Sequence, residues 1–589
     1  MNGDKSTIGV DVRMPAEINE VDSTVFESTN YDLDQTKATK TAESYWLRNL
    51  QKELELTGEN DRDGVDRPPL APNSIHNKLN PDVSLHLSAQ DVEVDGHVDS
   101  HACPSFEVAS KLYQHYSRTV HAWLPIVPAT FEDQVRMYYE APFKVPDCWL
   151  ATLNLIFAIG AQHCFLVNEV RPRQTDQSKG HDDVLYLSRA LQLLQMDGAA
   201  LLTSAPTPEL VQCLGLLSLY YLASGNTDRA WVTVGIALRL SVALGLHLTT
   251  SEPTPWHSRV DLLSRLWWSL RTLETLLSSV TGRPSTIPLQ DCNVQLPRVP
   301  SCEEDNRVPG MALQTYLKIS ITSQWTLTSL YSVRAATLPW QSIEERVQQL
   351  KSELEKLLSA ISDRERLMLH FSWFDTMIMI TRPCLWSRRR NDSFAESSPA
   401  TQNIANQCVQ AAQAVTKLLP SEPDECIFRN GPWWCLAHYI MRAMTIFLLA
   451  MSDQGSYSTC IDTEIIPSVK KLICWLRWMR QKNPVAKKGL EVVLHTLKRT
   501  HNHKVFADIF EQEAADAYAD LWLVNSKWEV DMTATYPQFV PELDEWAGLA
   551  DLSGEWSNFV YPLTTDTLTL PIPPVYGNPF APPVSSCDW

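Results

Sequence analysis

SRVDLLSRLWWSLRTLETLLSSVTGRPSTIPLQDCNVQLP, residues 258–297, is the stretch on which the fold turns. Its apolar residues follow a helical period from Val260 to Val280, and no Gly or Pro interrupts them before Gly282 and Pro284, so it reads as one long helix with a marked end. Ser258 with Asp261 three residues on resembles a capping box at its start. Gly282 suits the left-handed residue beyond its last turn, and Pro284 disfavours helical geometry at the residue before it. We therefore read Gly282, Arg283 and Pro284 as a structural corner. Arg283 is expected near the last carbonyls of its own helix, with Asp291 or Glu274 as its carboxylate partner.

Outward from this helix the period stays helical and strand signals are scarce. Thr207 before Pro208 and Glu209 places an N-cap, a proline at the first helical position and an early acid ahead of LVQCLGLLSLYYLA. SGNT breaks that helix, Asp228 opens the next, and Gly245 stops it, so the two form an antiparallel hairpin. Ser362 and Glu365 repeat the capping box before RERLMLHFSWFDTMIMI. Further helical stretches fall near 311–335, 340–361, 401–419, 432–452, 464–481 and 505–525. The expected fold is all-α: a large domain of stacked antiparallel helix pairs over 105–528.

The charge distribution separates the flanks from this domain. The 589 residues carry a net charge of −19, but residues 1–100 hold 20 acids against 9 bases and residues 529–589 hold 9 acids and no base. The middle is nearly neutral, without the basic stripe that phosphate binding needs, so direct DNA binding by this chain is not expected. Residues 1–40 and 57–104 lack a sustained period and are expected to be mostly disordered. Between them Leu47, Leu50 and Leu54 make a short amphipathic helix near 43–56, expected as a solitary surface helix. The apolar windows 150–167 and 433–451 are interrupted by Asn154, Gln162 and His163 and by His438 and Arg442, which favours buried core helices over membrane spans. Thirteen scattered Cys read as reduced thiols.

Short catalytic signatures for nucleotide, zinc-protease or serine-hydrolase chemistry are absent. His97 with His101 and His501 with His503 lack a third ligand of the right type, and Asp182 with Asp183 is better explained as an acidic first turn than as a magnesium site. We expect no catalytic residue, cofactor or metal. Trp267, Trp268, Trp325, Trp373, Trp433 and Trp434 sit at helical apolar positions and read as core or pocket wall. Arg388, Arg389 and Arg390 are too short a run for a nuclear import signal and read as a solvated loop after a helix.

Arg265 with Trp267 and Trp268, Glu274 where Asp is usual, then Gly282, Arg283 and Pro284, then Asp291, Leu296 and Pro297 together resemble the signature of the fungal-specific transcription factor domain, the regulatory middle region of fungal zinc-cluster transcription factors. HYSRTVHAWLPIVPATF, 115–131, is similar to that family's opening block. Ala230 and Trp231 leading to the ALGLH of 243–247 resemble its second block, and LHFSWFDTMIMITRPCL, 369–385, resembles its later helix ending in Arg-Pro, here Arg382 and Pro383. The resemblance implies a nuclear regulator of a metabolic or secondary-metabolite gene set. Members normally begin with a cysteine-rich cluster binding two zinc ions, whose helix enters the DNA major groove. This chain has no Cys before Cys103, so its zinc cluster ligands are absent, through gene loss or an incomplete gene model. DNA would then be reached through a partner regulator, as a homodimer, or through a missing N-terminal cluster, with the Leu47–Leu54 helix as a remnant of the dimerising helix.

In the tail, DEWAGLADLSGEWSNFVYP spaces Trp546, Leu549, Leu552, Trp556 and Phe559 with acids, a pattern that can dock on a coactivator groove. A small-molecule effector is compatible with this reading. The alternative is a small-molecule-binding helical protein or enzyme with no transcriptional role.

Overall fold

A computed structural model of the chain describes residues 42–60, 97–141, 143–167, 182–194, 205–249, 257–298, 310–357, 366–390, 399–452, 464–500 and 503–515. No strand occurs among them, and helices follow one another through short connections. In order they are α1 (Glu43–Asn60), α2 (Phe106–Tyr116), α3 (Phe131–Glu140), α4 (Asp147–Leu166), α5 (Asp182–Leu193), α6 (Pro208–Ala223), α7 (Thr227–Ala243), α8 (His257–Thr281), α9 (Gly310–Leu330), α10 (Trp340–Lys356), α11 (Arg366–Arg390), α12 (Pro399–Leu418), α13 (Cys426–Asn430), α14 (Leu436–Met451), α15 (Ile466–Met479) and α16 (Pro484–Lys498). Consecutive helices pack as pairs, α4 with α5, α6 with α7, α11 with α12 and α15 with α16. The all-α reading is correct.

Two helices form the axes of the core because their sequences are apolar on every face. Helix α4 packs against α2, α5 and α6, and α14 against α1, α11, α12, α15 and α16; all sixteen residues of α14 are buried. Among the described residues α4 alone is long and apolar enough to cross a membrane, and its apolar window is 83% buried inside the protein. The Thr152 and Thr445 hydroxyls in these helices donate to the carbonyls one turn back. The hairpin signals are obeyed too. Thr207 accepts from the Leu210 amide at 3.2 Å at the start of α6, and Gly225 and Gly245 take φ of 82° and 74° after α6 and α7.

Several expectations need correction. Helix α1 is no solitary surface helix: Trp46, Leu47 and Leu50 are buried in the main core and α1 lies on α14. Its apolar stripe is thereby used within this chain, not left for a dimer partner. Helix α8 already begins at His257 rather than after Ser258, and Asp261, the acid of the expected capping box, serves Arg265 and the Arg298 amide. Arg388, Arg389 and Arg390 belong to the last turn of α11 rather than to a loop. Helix α16 was not anticipated. The Ser362–Glu365 box, His501, the boundary at 528 and the tail residues Trp546, Leu549, Leu552, Trp556 and Phe559 lie outside the described residues.

Candidate functional site

The Gly-Arg-Pro corner is built by α8. Gly282, at φ 73°, turns the chain back along the helix that has just ended. From there residues 283–298 run alongside α8, and the signature residues fasten them. Glu274 is fully buried; its carboxylate accepts from Arg271 Nη1 at 2.8 Å and from the Thr286 amide at 2.6 Å. The Trp268 indole N–H donates to the Gln295 carbonyl at 3.1 Å, and the Ser264 hydroxyl to the same oxygen at 2.7 Å. Arg265 donates to Asp261 at 2.6 Å and to the Arg298 carbonyl at 3.3 Å. Trp267 points the other way and is wholly buried in the core. The signature is thus a set of fasteners between one helix and the segment that returns along it.

Arg283 departs from expectation. It neither returns to its own helix end nor reaches Asp291 or Glu274. Its guanidinium pairs with Asp228 at 2.9 Å on α7 and lies over the Trp231 ring at 5.1 Å, which ties the corner to the preceding hairpin. Asp291 is exposed in a short 3-10 turn, Leu289–Asp291. The Arg283–Asp228 side chains are about a quarter exposed, so Arg283→Ala should cost no more than about 1 kcal/mol, in the range of partly solvated pairs. A thermal melt checks this; a loss near that of a buried pair would be inconsistent with the solvated geometry.

Outside the corner lies a cleft of about 1140 Å³. Gly282, Arg283 and Pro284 form one end, α9 gives Lys318, Ile321 and Trp325, and α10 gives Arg346 and Leu350. Trp325 is 42% exposed and forms pocket wall, whereas Trp267, Trp268, Trp373, Trp433 and Trp434 are core.

Tyr331, also in the cleft lining, leads inward to the second signature pair. Pro383 lies inside α11 and has no N–H to offer the carbonyl four residues back, that of Met379. The Tyr331 hydroxyl donates to that carbonyl at 2.6 Å, which accounts for how the helix continues through the proline. Burial raises the Tyr331 phenol above its ordinary value. Next to it Arg382, fully buried, stacks over Trp46 of α1 at 4.8 Å and over Tyr331 at 5.5 Å.

Arg382 belongs to a buried charge cluster that no local motif announced. Glu43 of α1 accepts from Arg442 Nε of α14 at 2.7 Å and lies 3.6 Å from Arg382 Nη1. Arg442 Nη1 donates to Asp375 of α11 at 2.6 Å, and its Nη2 reaches Ser279 of α8. Burial pushes the Asp375 carboxyl up to about 6, with Arg442 opposing the rise and Glu43 adding to it. Burial works against the Arg442 charge, but Asp375 and Glu43 together hold it above the ordinary arginine value. The sequence pointed to it only through Arg442, which with His438 interrupts an apolar stretch, and through Arg382 of the Arg-Pro pair.

The remaining candidates have ordinary structural roles. His101 lies 3.9 Å from Asp147 at the surface, and His503 meets the Thr500 carbonyl. Asp183 accepts from the Tyr220 hydroxyl at 3.0 Å. Among the described residues no group of His, Cys, Asp and Glu is placed to hold a metal ion. His121, in the opening block, is partly buried with its Nδ1 shielded from solvent; that desolvation, aided by Arg265, lowers it to about 4 and keeps it neutral.

The sequence model of the fungal specific transcription factor domain matches residues 113–362. The chain is 23% identical to the transcription regulator galc of Aspergillus niger, over 76% of this chain and 66% of that protein. It is 26% identical to the sorbicillinoid biosynthetic cluster transcription factor sor3 of Hypocrea jecorina, over 60% of this chain and 54% of that protein. Against the sorbicillinoid biosynthetic cluster transcription factor 2 of Penicillium rubens it is 24% identical over 56% and 52%. The chain thus spans less than two thirds of the length of each of these relatives. From the opening block to the cleft wall on α10, the residues described above are those of a fungal specific transcription factor domain, and this chain carries that domain.

Proposed function

We propose that this chain is a transcription regulator of fungal type controlling a metabolic or secondary-metabolite biosynthetic gene set from the nucleus. The observation that carries the reading is the domain match over residues 113–362, and the relatives named for sorbicillinoid clusters support the kind of gene set. In this reading the helical domain receives a signal, and the acidic aromatic tail contacts a coactivator or the transcription machinery. DNA is reached through a partner regulator, a homodimer, or a zinc cluster outside this sequence, since the nearly neutral middle offers phosphate no basic stripe.

The full chain fused to an unrelated DNA-binding domain is expected to activate a reporter. Replacing Trp546, Leu549, Leu552, Trp556 and Phe559 with Ala should abolish the activation, because the acids alone leave nothing apolar to dock. A reporter signal equal to that of the bare DNA-binding domain would overturn the reading.

A further inference from the structure

We propose that the cleft beside the Gly-Arg-Pro corner binds one organic anion, an apolar ring or chain system that carries a carboxylate or a comparable acid. As a signal, such a ligand rests on the regulatory reading above; as a binding event it does not.

Size, lining and charge each bear on the choice. A volume of about 1140 Å³ is ample for a drug-sized molecule, since ligand pockets run from about 300 to 1,000 Å³. Lys318, Ile321, Trp325 and Thr328 follow one another at helical spacing along the α9 wall, so an indole and an aliphatic side chain lie between a cation and a hydroxyl. Leu350 of α10 and Pro284 of the corner extend the apolar surface. Exposed aromatic area of this kind favours an apolar occupant, and a few polar groups then fix its orientation.

Most polar groups in the lining are neutral hydroxyls and amides, and its charged groups are mostly cationic. Among the described residues Arg283, Lys318 and Arg346 line the cleft and Glu353 is the single carboxylate in the lining; Glu353 is held by Lys356 at 2.6 Å. Arg283 is balanced by Asp228, and Arg346 spends one Nη on the Ser329 carbonyl at 2.9 Å. Lys318 is exposed and has no acidic partner among the described residues. The lining therefore presents unneutralised positive charge at the edge of an apolar floor, which complements an acid on an apolar body. Such an occupant would also touch Tyr331, whose hydroxyl and ring meet α11 at Met379 and Arg382, so binding would bear directly on the buried charge cluster.

The test uses the full chain with 8-anilinonaphthalene-1-sulfonate, an aromatic anion, and N-phenyl-1-naphthylamine, its uncharged counterpart. Saturable one-to-one binding of the anion is expected, about tenfold or more tighter than that of the uncharged probe. Lys318→Glu should weaken the anion about tenfold while leaving the uncharged probe unchanged, and Trp325→Ala should weaken both. Lys318 and Trp325 are exposed, so melting temperatures should match the parent and Lys318→Gln should give an intermediate affinity. Absence of saturable binding, as when a segment of the chain itself fills the cleft, would overturn the proposal. Equal affinity for the two probes, or an anion affinity untouched by Lys318→Glu, would overturn it as well. The reporter assay stands apart, since activation by the tethered chain needs no probe in the cleft.

Discussion

Arg442→Leu is expected to destabilise the protein by about 3–5 kcal/mol, because it removes one partner of a buried pair and leaves the carboxylates behind. Glu43 and Asp375 each accept a short hydrogen bond from Arg442, and Arg382 at 3.6 Å is too far to hydrogen-bond Glu43 in its place. The loss should be nearly independent of salt, since the cluster is out of reach of counterions. Replacing Glu43 and Asp375 by Gln and Leu in the same chain should recover part of the loss, because the cost lies in the stranded charges more than in the missing attraction. Thermal melts at low and high salt measure both effects. A loss below about 1 kcal/mol for Arg442→Leu would mean that the cluster is solvated.

Gly160→Ala is the second large effect. A Cβ at that position would lie 2.3 Å from the Leu112 carbonyl oxygen and 2.9 Å from its carbon, so the obstacle is the backbone of α2 and cannot rotate away. Alanine favours a helix over glycine by about 1 kcal/mol, yet pushing two core helices apart costs typically about 1–3 kcal/mol and more where backbone must move. The net expectation is a loss, with Gly160→Val failing to give soluble protein. An alanine variant as stable as the parent would show that α2 and α4 slide apart freely.

How much of this was readable beforehand depended on whether the cause was local. Thr207 with Pro208 and Gly282 with Pro284 act within a turn of where they stand, and they mark helix ends as their chemistry requires. Asn483 with Pro484 carries the same signal and caps α16, its side chain accepting from the Ala486 amide at 3.0 Å. Partners chosen across space were not legible. Arg283 could be seen to need a carboxylate, but nearness in sequence favoured Asp291 and Glu274, whereas the chain path brings Asp228 to it. Glu43 looked like one acid among many in an acidic flank, and only its position against Arg442 gives it a role. For the cleft, Trp325 was readable as core or wall, and packing on its neighbours decided for the wall.

The Glu43–Arg442 bond also sets a schedule for the newborn chain. The two residues are 399 positions apart, and at a synthesis rate of about 5–20 residues per second roughly 20–80 s pass between their emergence. Throughout that interval Trp46, Leu47 and Leu50 are outside the ribosome without α14 to cover them, so α1 is a natural client for a holding chaperone until the far end of the domain arrives.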